Sequence, residues 1–209
     1  EIMDRHTLEA VSKYAGMEFP ECEAMLIFEF DGFTASDVRA RLKEAKKLCE
    51  ASNLKVKVAE SEAEANEIWR ARKSASPALA RLRPSSLHED ATVPTSKVAD
   101  MLVRVREISE HWGVLIATFG HAGDGNLHPV ILFDERDPDE RERAMKAAED
   151  IFRAALELGG TLTGEHGIGL SKARFFGLEH DPVELKVLKA IKRVLDPNGI
   201  LNPGKIWGD

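Results

Sequence analysis

Two apolar runs joined by a short glycine-rich segment constrain the fold of this chain more than any other feature of its sequence. Val114–Phe119 and His128–Phe133 are too short to be convincing helices, and their composition favours buried strands. The segment Gly120–Gly125 between them has the glycine content of a tight turn. The pattern predicts an antiparallel hairpin, on which the rest of the chain must pack.

The sequence before the hairpin predicts a β-α-β unit. The apolar run Ala24–Phe30 is expected to form a buried strand. A helix over 36–51, capped by Thr34 or Ser36, follows it, because apolar residues recur there at intervals of three and four. Leu54–Val58 alternates apolar and polar residues, which is typical of a half-solvated strand.

Four further helices and two short strands are predicted downstream. A capping-box pattern opens the first of these helices at Ser61, and proline at the first helical position marks the start at Asp137. The predicted helices cover 61–75, 95–112, 137–158 and 181–195, and the short strands cover 91–93, at the end of an otherwise irregular segment 76–94, and 161–163. This order favours an α+β fold in which ferredoxin-like β-α-β units, present in duplicate, form an antiparallel sheet layered by helices, with a C-terminal helical extension.

Composition and charge exclude several classes of function. The 209 residues are 43% hydrophobic and 31% charged, as in folded globular proteins, and the formal charge of −7 comes without long runs of like charge, so no nucleic-acid partner is expected. No apolar stretch approaches the roughly 18 residues of a membrane span, and no signal peptide opens the chain. Cys22 and Cys49 fit neither a disulfide framework nor a cysteine metal site. We therefore predict a cytoplasmic protein, free or peripheral to a membrane, that binds a small molecule or another protein.

The glycine-rich turn of the hairpin carries two histidines. It reads Gly120-His-Ala-Gly-Asp-Gly-Asn-Leu-His128. If His121 and His128 lie opposite each other on the paired strands, their Cβ atoms are about 4.5–5.5 Å apart, which suits two nitrogen ligands of one metal ion. A plain turn with two surface histidines is the alternative, and this spacing alone does not decide between them.

A second glycine-rich motif, Gly164-Glu-His-Gly-Ile-Gly169, places a carboxylate beside an imidazole. Adjacent side chains of an extended backbone point to opposite sides, so Glu165 could complete a His-His-Glu metal set while His166 faces a substrate as general base. The alternative is a helix N-terminus, with Glu165 facing the helix dipole and His166 in solvent.

Three motifs in this order resemble those of one known family. The two glycine-rich motifs and the closing Leu195-Asp-Pro-Asn-Gly-Ile-Leu-Asn-Pro-Gly-Lys205 are similar to motifs in the C-terminal domain of FAD-linked oxidases. That group of flavoproteins includes the glycolate oxidase subunit, D-lactate dehydrogenase and D-2-hydroxyglutarate dehydrogenase. The resemblance covers nearly the whole chain, and it implies that residues 1–209 are one domain of a longer flavoenzyme whose FAD-binding domain lies outside this sequence.

The resemblance implies a role for each candidate residue. This domain would hold a small 2-hydroxy acid against an FAD that is bound mainly by the other domain, and the electrons would pass on to a further acceptor. His166 is implied to take the hydroxyl proton of the substrate while a hydride leaves the α-carbon for the flavin. Asn202 and Lys205 lie in a tail that, in the family, returns to the flavin domain. The implied ligands of a divalent metal, usually assigned as zinc, are His121, His128 and Glu165.

The resemblance also bears on the substrate. Arg72 and Ser76 are the implied substrate-binding residues, with the arginine on the substrate carboxylate. Ser76 and His88 stand where D-2-hydroxyglutarate dehydrogenases carry threonine and lysine, and Val130 stands where they carry asparagine. These departures favour a smaller acid, such as lactate or glycolate.

Two other classes of function stay open at this point. A self-contained metal-dependent hydrolase could use the His-His-Glu set, with Glu165 or His166 activating a metal-bound water. A small-molecule-sensing or assembly module would need neither a metal nor a polar cluster around His166. A homo-oligomer is compatible with each of these readings.

Overall fold

The computed structural model describes residues 1–207, which form eight α-helices and six β-strands with two short 3-10 turns. In chain order these elements are β1 (Ile2–Asp4), α1 (Arg5–Ala15), β2 (Ala24–Leu26), α2 (Ala35–Ala51), α3 (Glu62–Lys73), α4 (Ala75–Leu79), β3 (Ser85–His88), β4 (Ala91–Thr92), a 3-10 turn (Thr95–Lys97), α5 (Val98–Trp112), β5 (Leu115–His121), β6 (Asn126–Phe133), α6 (Pro138–Glu157), a 3-10 turn (Ala173–Phe175), α7 (Phe176–Glu179) and α8 (Pro182–Leu195).

The strands form one antiparallel sheet centred on the predicted hairpin. Its spatial order is β2-β1-β5-β6-β3, and β4 pairs with the turn end of β6. The β5–β6 register runs from Leu115 opposite Leu132 to His121 opposite Asn126. The predicted α+β class and the antiparallel sheet layered by helices are confirmed.

Helices cover both faces of this sheet. Because successive side chains of a strand point to opposite faces, alternate residues of β6 enter different cores. Leu127 and Ile131 pack with α5 and α6, whereas Val130 and Leu132 pack with α1 and α4. The same alternation places His128 on the face covered by α1 and α4.

The helix caps predicted from the sequence are present. Thr34 and Asp37 form a reciprocal capping box at the start of α2, in which each side chain accepts a hydrogen bond from the other residue's backbone amide. Ser61 accepts from the amide of Glu64 at the start of α3, and Asp137 caps α6. These local signals predicted the starts of three helices correctly. The helix predicted from residue 95 instead begins at Val98, after a 3-10 turn and without a side-chain cap.

The first β-α-β prediction is wrong in its position. Leu54–Val58 forms no strand, and β2 covers only the first three residues of the predicted strand over 24–30. The alternation in Leu54–Val58 was a true pattern, but a strand also needs a free sheet edge to pair with. The segment remains largely exposed.

Other strands form where no strand was predicted. β1 and α1 precede the first predicted element, and β3 lies inside the segment expected to be irregular. The predicted strand over 161–163 is reduced to a single bridge between Thr92 and Thr161. β1 is three residues long and pairs with β5 across more than a hundred positions, so its burial comes from that distant partner rather than from local periodicity.

Within the described residues, no helix is both long and apolar enough to cross a membrane. Cys22 and Cys49 are both free thiols and half-buried.

Candidate active site

The turn end of the hairpin brings His121 and His128 to one face of the sheet. The register differs from the predicted one, because His128 lies opposite Phe119 and His121 lies opposite Asn126. The turn is therefore shorter than expected, and the two histidines are diagonal neighbours rather than a directly opposed pair. Their rings still meet edge to face, with centroids 5.4 Å apart.

Glu165 lies at the centre of a group of three imidazoles. Its Oε1 atom is 3.1 Å from Nε2 of His128, 3.6 Å from Nε2 of His121 and 4.0 Å from Nε2 of His166. The His128 side chain is 7% exposed, whereas the Glu165 side chain is 49% exposed, so the group lies between the buried sheet and solvent. The two glycine-rich motifs thus converge in space.

His166 lies on the same side as Glu165, contrary to the expectation that the two would point apart. Its ring stacks on that of His128 with centroids 5.1 Å apart and planes within 8°. The expectation assumed an extended backbone, but residues around 164–167 form a series of bends. Burial lowers the pKa of His128, and the nearby Glu165 carboxylate only partly offsets that effect.

Asp90 anchors the loop that carries Glu165 and His166. It is fully buried, and its Oδ2 accepts hydrogen bonds from the Thr163 hydroxyl at 2.5 Å and from the amides of Gly164, Glu165 and His166 at 2.8–3.0 Å. Burial alone would raise the pKa of Asp90, but these hydrogen bonds, led by that of the Thr163 hydroxyl, lower it to about 2. Asp90 is therefore an ionised acceptor at neutral pH.

Lys172 supplies a buried positive charge behind Asp90. Its Nζ donates to the carbonyl oxygen of Leu162 at 2.9 Å and lies 3.9 Å from Oδ2 of Asp90. Burial lowers the pKa of Lys172, while the carboxylates of Glu89 and Asp90 counteract that shift. The pair helps to keep Asp90 charged inside the protein.

Glu1 connects Arg72 to His121. One oxygen of its carboxylate accepts from Arg72 Nε at 2.6 Å, and the other lies 2.6 Å from Nδ1 of His121. Burial would raise the pKa of Glu1, but the contacts with His121 and Arg72 lower it. The Arg72 guanidinium also lies over the Phe119 ring, 4.7 Å from its centroid. Arg72 thus stands beside the histidine group.

The remaining predicted site residues lie further from this group in the contacts that the structure describes. Ser76 is an exposed residue of α4, one turn beyond Arg72. Asn202 is exposed with a left-handed backbone (φ 47°), and the amide of Lys205 donates to its carbonyl oxygen. The tail nevertheless returns toward the site, because the amide of Ile206 donates to the carbonyl oxygen of Gly169 at 2.7 Å.

Comparison with known protein families decides the relationship of the chain. A family model described as "FAD linked oxidases, C-terminal domain" matches residues 1–206. The chain belongs to this family. The motif resemblance found in the sequence is therefore confirmed over almost the whole length of the FAD-linked oxidase domain.

Named relatives agree with that membership. The chain is 41% identical over 209 residues to the glycolate oxidase subunit GlcD of Bacillus subtilis (strain 168), covering 99% of this chain and 44% of the relative. It is 35% identical to GlcD of Escherichia coli (strain K12), covering 98% and 41% respectively. It is 32% identical to the mitochondrial D-lactate dehydrogenase [cytochrome] of Arabidopsis thaliana, covering 99% and 36%. The chain thus spans less than half the length of these relatives.

A solved structure shows the same fold at lower identity. The 4-ethylphenol oxidase from Gulosibacter chungangensis, in its isoeugenol complex, superposes with a TM-score of 0.50 at 20% identity. The match covers 82% of this chain and 38% of that protein. It supports the architecture of this FAD-linked oxidase domain.

The residues of the site fit a divalent metal ion. One ligand atom each from Asp90, His128, Glu165 and His166 lie within 4.8 Å of one another. His121, one of the three implied ligands, lies outside this group, with its Nε2 atom 3.6 Å from Oε1 of Glu165. Imidazole nitrogens and carboxylate oxygens are donors that zinc accepts. Oδ1 of Asp90 and Nδ1 of His128 are buried and have no hydrogen-bond partner among residues 1–207. These two atoms lie 4.0 Å from each other, which is beyond hydrogen-bond distance.

Glu1 and Asp90 also contact the residues of this FAD-linked oxidase site, although no sequence pattern predicted either of them. Asp90 lies in the segment expected to be irregular, and Glu1 precedes a strand that was not predicted. The one available signal was the acidic pair Glu89-Asp90 just before the apolar residues Ala91–Val93. Two acidic residues next to a buried strand are themselves expected to be buried, and buried carboxylates need hydrogen-bond donors or positive charges nearby.

Proposed function

We propose that this chain is the substrate-binding and catalytic domain of an FAD-dependent 2-hydroxy acid dehydrogenase or oxidase. The observation that carries the proposal is the approach of one Glu165 oxygen to the Nε2 atoms of three histidines. A metal-type donor set next to an additional imidazole supports proton removal from a bound alcohol. The names of the relatives, a glycolate oxidase subunit and a D-lactate dehydrogenase, favour this oxidation over hydrolysis.

His121, His128 and Glu165 would hold a divalent metal, which we propose is zinc. When bound, the cation supplies positive charge that lowers the pKa of a substrate hydroxyl and orients it. His166 is left to accept the hydroxyl proton at Nε2. Its side chain is 44% exposed and hence accessible to a substrate, whereas His128, at 7%, is not. This difference in exposure supports assigning His128 as a metal ligand and His166 as the base.

Arg72 would bind the carboxylate of the substrate. Its Nε donates to Glu1, which leaves its terminal N–H groups for a second carboxylate. Ser76, one turn along, would line the same side. Val130 is fully buried in the sheet and offers no polar group to a second acidic group of a longer substrate. A small acid, D-lactate or glycolate, is therefore the proposed substrate.

The proposed enzyme also needs parts beyond this domain. FAD, when bound, supplies the acceptor for the two electrons lost by the α-carbon. We propose that an FAD-binding domain of the same enzyme holds most of it, with Asn202 and Lys205 reaching toward it, since the relatives are more than twice the length of this chain. Free thiols at Cys22 and Cys49 support a reducing, cytoplasmic location. We also propose that the reduced flavin passes its electrons to a further acceptor and that the enzyme can assemble into a homo-oligomer.

Zinc content tests the metal site directly. We expect the purified protein to retain about one zinc ion per chain after dialysis against zinc, and His121→Ala to lose most of it, because three ligands are the usual minimum for a protein zinc site. Metal analysis by mass spectrometry measures both. His111→Ala is the matched control, since His111 lies on α5 and contacts Trp112 rather than the site. Equal zinc in His121→Ala and the control would contradict the ligand assignment.

Turnover of the flavin-loaded enzyme tests the base. His166→Gln should lower kcat for D-lactate or glycolate by about 10²–10⁴-fold, because the hydroxyl proton then lacks its acceptor. The reduction of the flavin, followed by its absorbance in a single turnover, is the measurement. His111→Gln should leave the rate unchanged. A near-normal rate in His166→Gln would remove His166 from the mechanism.

A further inference from the structure

We propose that Asp90 is a positioning residue with two separate tasks, one for each oxygen. Its Oδ2 holds the loop that carries Glu165 and His166 against the hairpin, and the charge on its Oδ1, 4.0 Å from Nδ1 of His128, favours a proton on that nitrogen. The second task deepens the proposed function and rests on it, whereas the first does not depend on any metal.

The loop task follows from the contacts of Oδ2. One oxygen collects a hydroxyl and three consecutive backbone amides, so four donors from residues 163–166 point at a single ionised acceptor. Hydrogen bonds to a charged acceptor are about twice as strong as neutral ones. Apart from the bridge between Thr92 and Thr161, no strand pairing holds residues 161–169 among the described contacts. Among the described hydrogen bonds, Asp90 accepts four from residues 163–166, the part of the loop that carries Glu165 and His166.

The ring task follows from the position of Oδ1. It lies 4.0 Å from Nδ1 of His128, and both atoms are buried without a hydrogen-bond partner among residues 1–207. A carboxylate oxygen can only accept, so it favours the imidazole form that carries its proton on Nδ1. That form leaves the lone pair on Nε2, which faces Glu165 at 3.1 Å and is free for a metal ion. A carboxylate behind a ligating histidine is a general way to orient the ring and strengthen it as a ligand.

Asp90→Asn separates the two tasks with one atom. The amide must turn its oxygen toward the four donors of the loop, which places its NH2 group toward Nδ1 of His128. Two donors then face each other whenever Nε2 binds a metal. The substitution should therefore weaken zinc binding by about 10–100-fold, the usual cost of losing such a partner. It should also speed amide exchange at 164–166 by about tenfold, because the acceptor is no longer charged.

The experiment combines three readings on the protein and its variant. Hydrogen exchange measures the amides of 164–166 without zinc, competition with a chromophoric chelator measures zinc affinity, and NMR of the zinc-bound protein detects the ring proton of His128. Glu89→Gln is the matched control, since this neighbouring carboxylate is buried but contacts neither the loop amides nor His128 in the described hydrogen bonds. The control should match the wild-type protein in all three readings.

The outcomes are distinct. Faster exchange and weaker zinc binding in Asp90→Asn, with a proton on Nδ1 of His128 in the wild-type protein, support the proposal. Unchanged exchange and unchanged affinity overturn it. If Asp90→Asn does not fold, the wild-type spectrum still decides the ring task, because a zinc-bound His128 without an Nδ1 proton overturns it. Faster exchange with no zinc bound by either protein supports the loop task and overturns the proposed metal site instead.

Discussion

The two halves of the candidate site are held in different ways. His121 and His128 belong to the β5–β6 hairpin, whose strands pair over their whole length and whose β6 residues are all buried. Glu165 and His166 lie on a bent loop with side chains almost half exposed, and their backbone amides donate to the carboxylate of Asp90. A ladder of backbone hydrogen bonds distributes the support of the hairpin over many residues, whereas four of the hydrogen bonds made by residues 163–166 end on one carboxylate oxygen. The site residues on the hairpin are therefore held by the sheet itself, whereas the positions of Glu165 and His166 depend on contacts that the loop makes with Asp90.

The largest expected effect concerns the core of the hairpin. Ile131→Ala removes a fully buried side chain and should lower the free energy of unfolding by about 2–5 kcal/mol through lost burial and a cavity. Leu170→Ala, on the exposed end of the loop, should change it by less than about 0.5 kcal/mol. Urea unfolding followed by circular dichroism measures both. Similar losses at the two positions would break the contrast between the halves.

The next effect compares two glycines with the same backbone conformation. Gly125 in the hairpin turn and Gly167 in the loop have φ of 75° and 76°. An added Cβ at Gly125 would collide with the carbonyl oxygen of Val93, while at Gly167 it meets open space. We expect Gly125→Ala to cost about 2–3 kcal/mol and Gly167→Ala about 1 kcal/mol, since only the first adds a collision to the strain of a left-handed residue. Thermal unfolding of the two variants tests the order, and the reverse order would contradict it.

A smaller effect tests whether the loop opens independently of the hairpin. Thr163 donates its hydroxyl to Asp90 and accepts from the amide of Gly167 at 2.8 Å. Thr163→Val keeps the shape and removes both contacts, so amide exchange at 164–167 should rise by roughly fivefold, for a loss of about 1 kcal/mol. Exchange in β5 and β6 should stay as it was. Faster exchange throughout the hairpin would show that the two halves open together.

The smallest effect concerns pH and a single side chain in β1, the strand that pairs with β5 of the hairpin. Asp4 accepts from the amides of Thr7 and Thr118, and burial raises its pKa above the ordinary value of 3.8 despite those hydrogen bonds. A carboxyl group with a raised folded pKa contributes stability that is complete below pH 3.8 and is lost as the pH rises through the folded pKa. Asp4→Asn should therefore flatten the fall in unfolding free energy over that window. A fall of equal size in the variant would assign it to other groups.

Local sequence signals were sufficient for the hairpin and most helices. Thr34, Ser61 and Asp137 start helices where their capping patterns predicted, because a cap depends on residues within one turn. Strand β1 was not predicted, because its three residues show no periodicity and its partner β5 lies far along the chain. Leu54–Val58 failed for the opposite reason, because its alternation is local but no sheet edge receives it.

For the site, the motifs predicted which residues would come together but not how they are arranged. The motifs drew attention to His121, His128, Glu165 and His166, which the fold brings together. The sequence could not give the register of the histidine pair, which depends on the exact length of the turn. It also could not reveal Asp90, whose importance comes from four donors that lie more than 70 positions away.

The carboxylate shared by Arg72 and His121 would make binding of the proposed acid and binding of the proposed metal ion interdependent. Each oxygen of Glu1 is committed to one neighbour, so a ligand that pulls on the guanidinium also alters the hold on the imidazole. Such coupling is reciprocal, because each of two ligands changes the binding affinity of the other by the same factor. An acid bound at Arg72 would then change the affinity of His121 for a cation, and a bound cation would change the affinity of Arg72 for the acid, both through the Glu1 side chain.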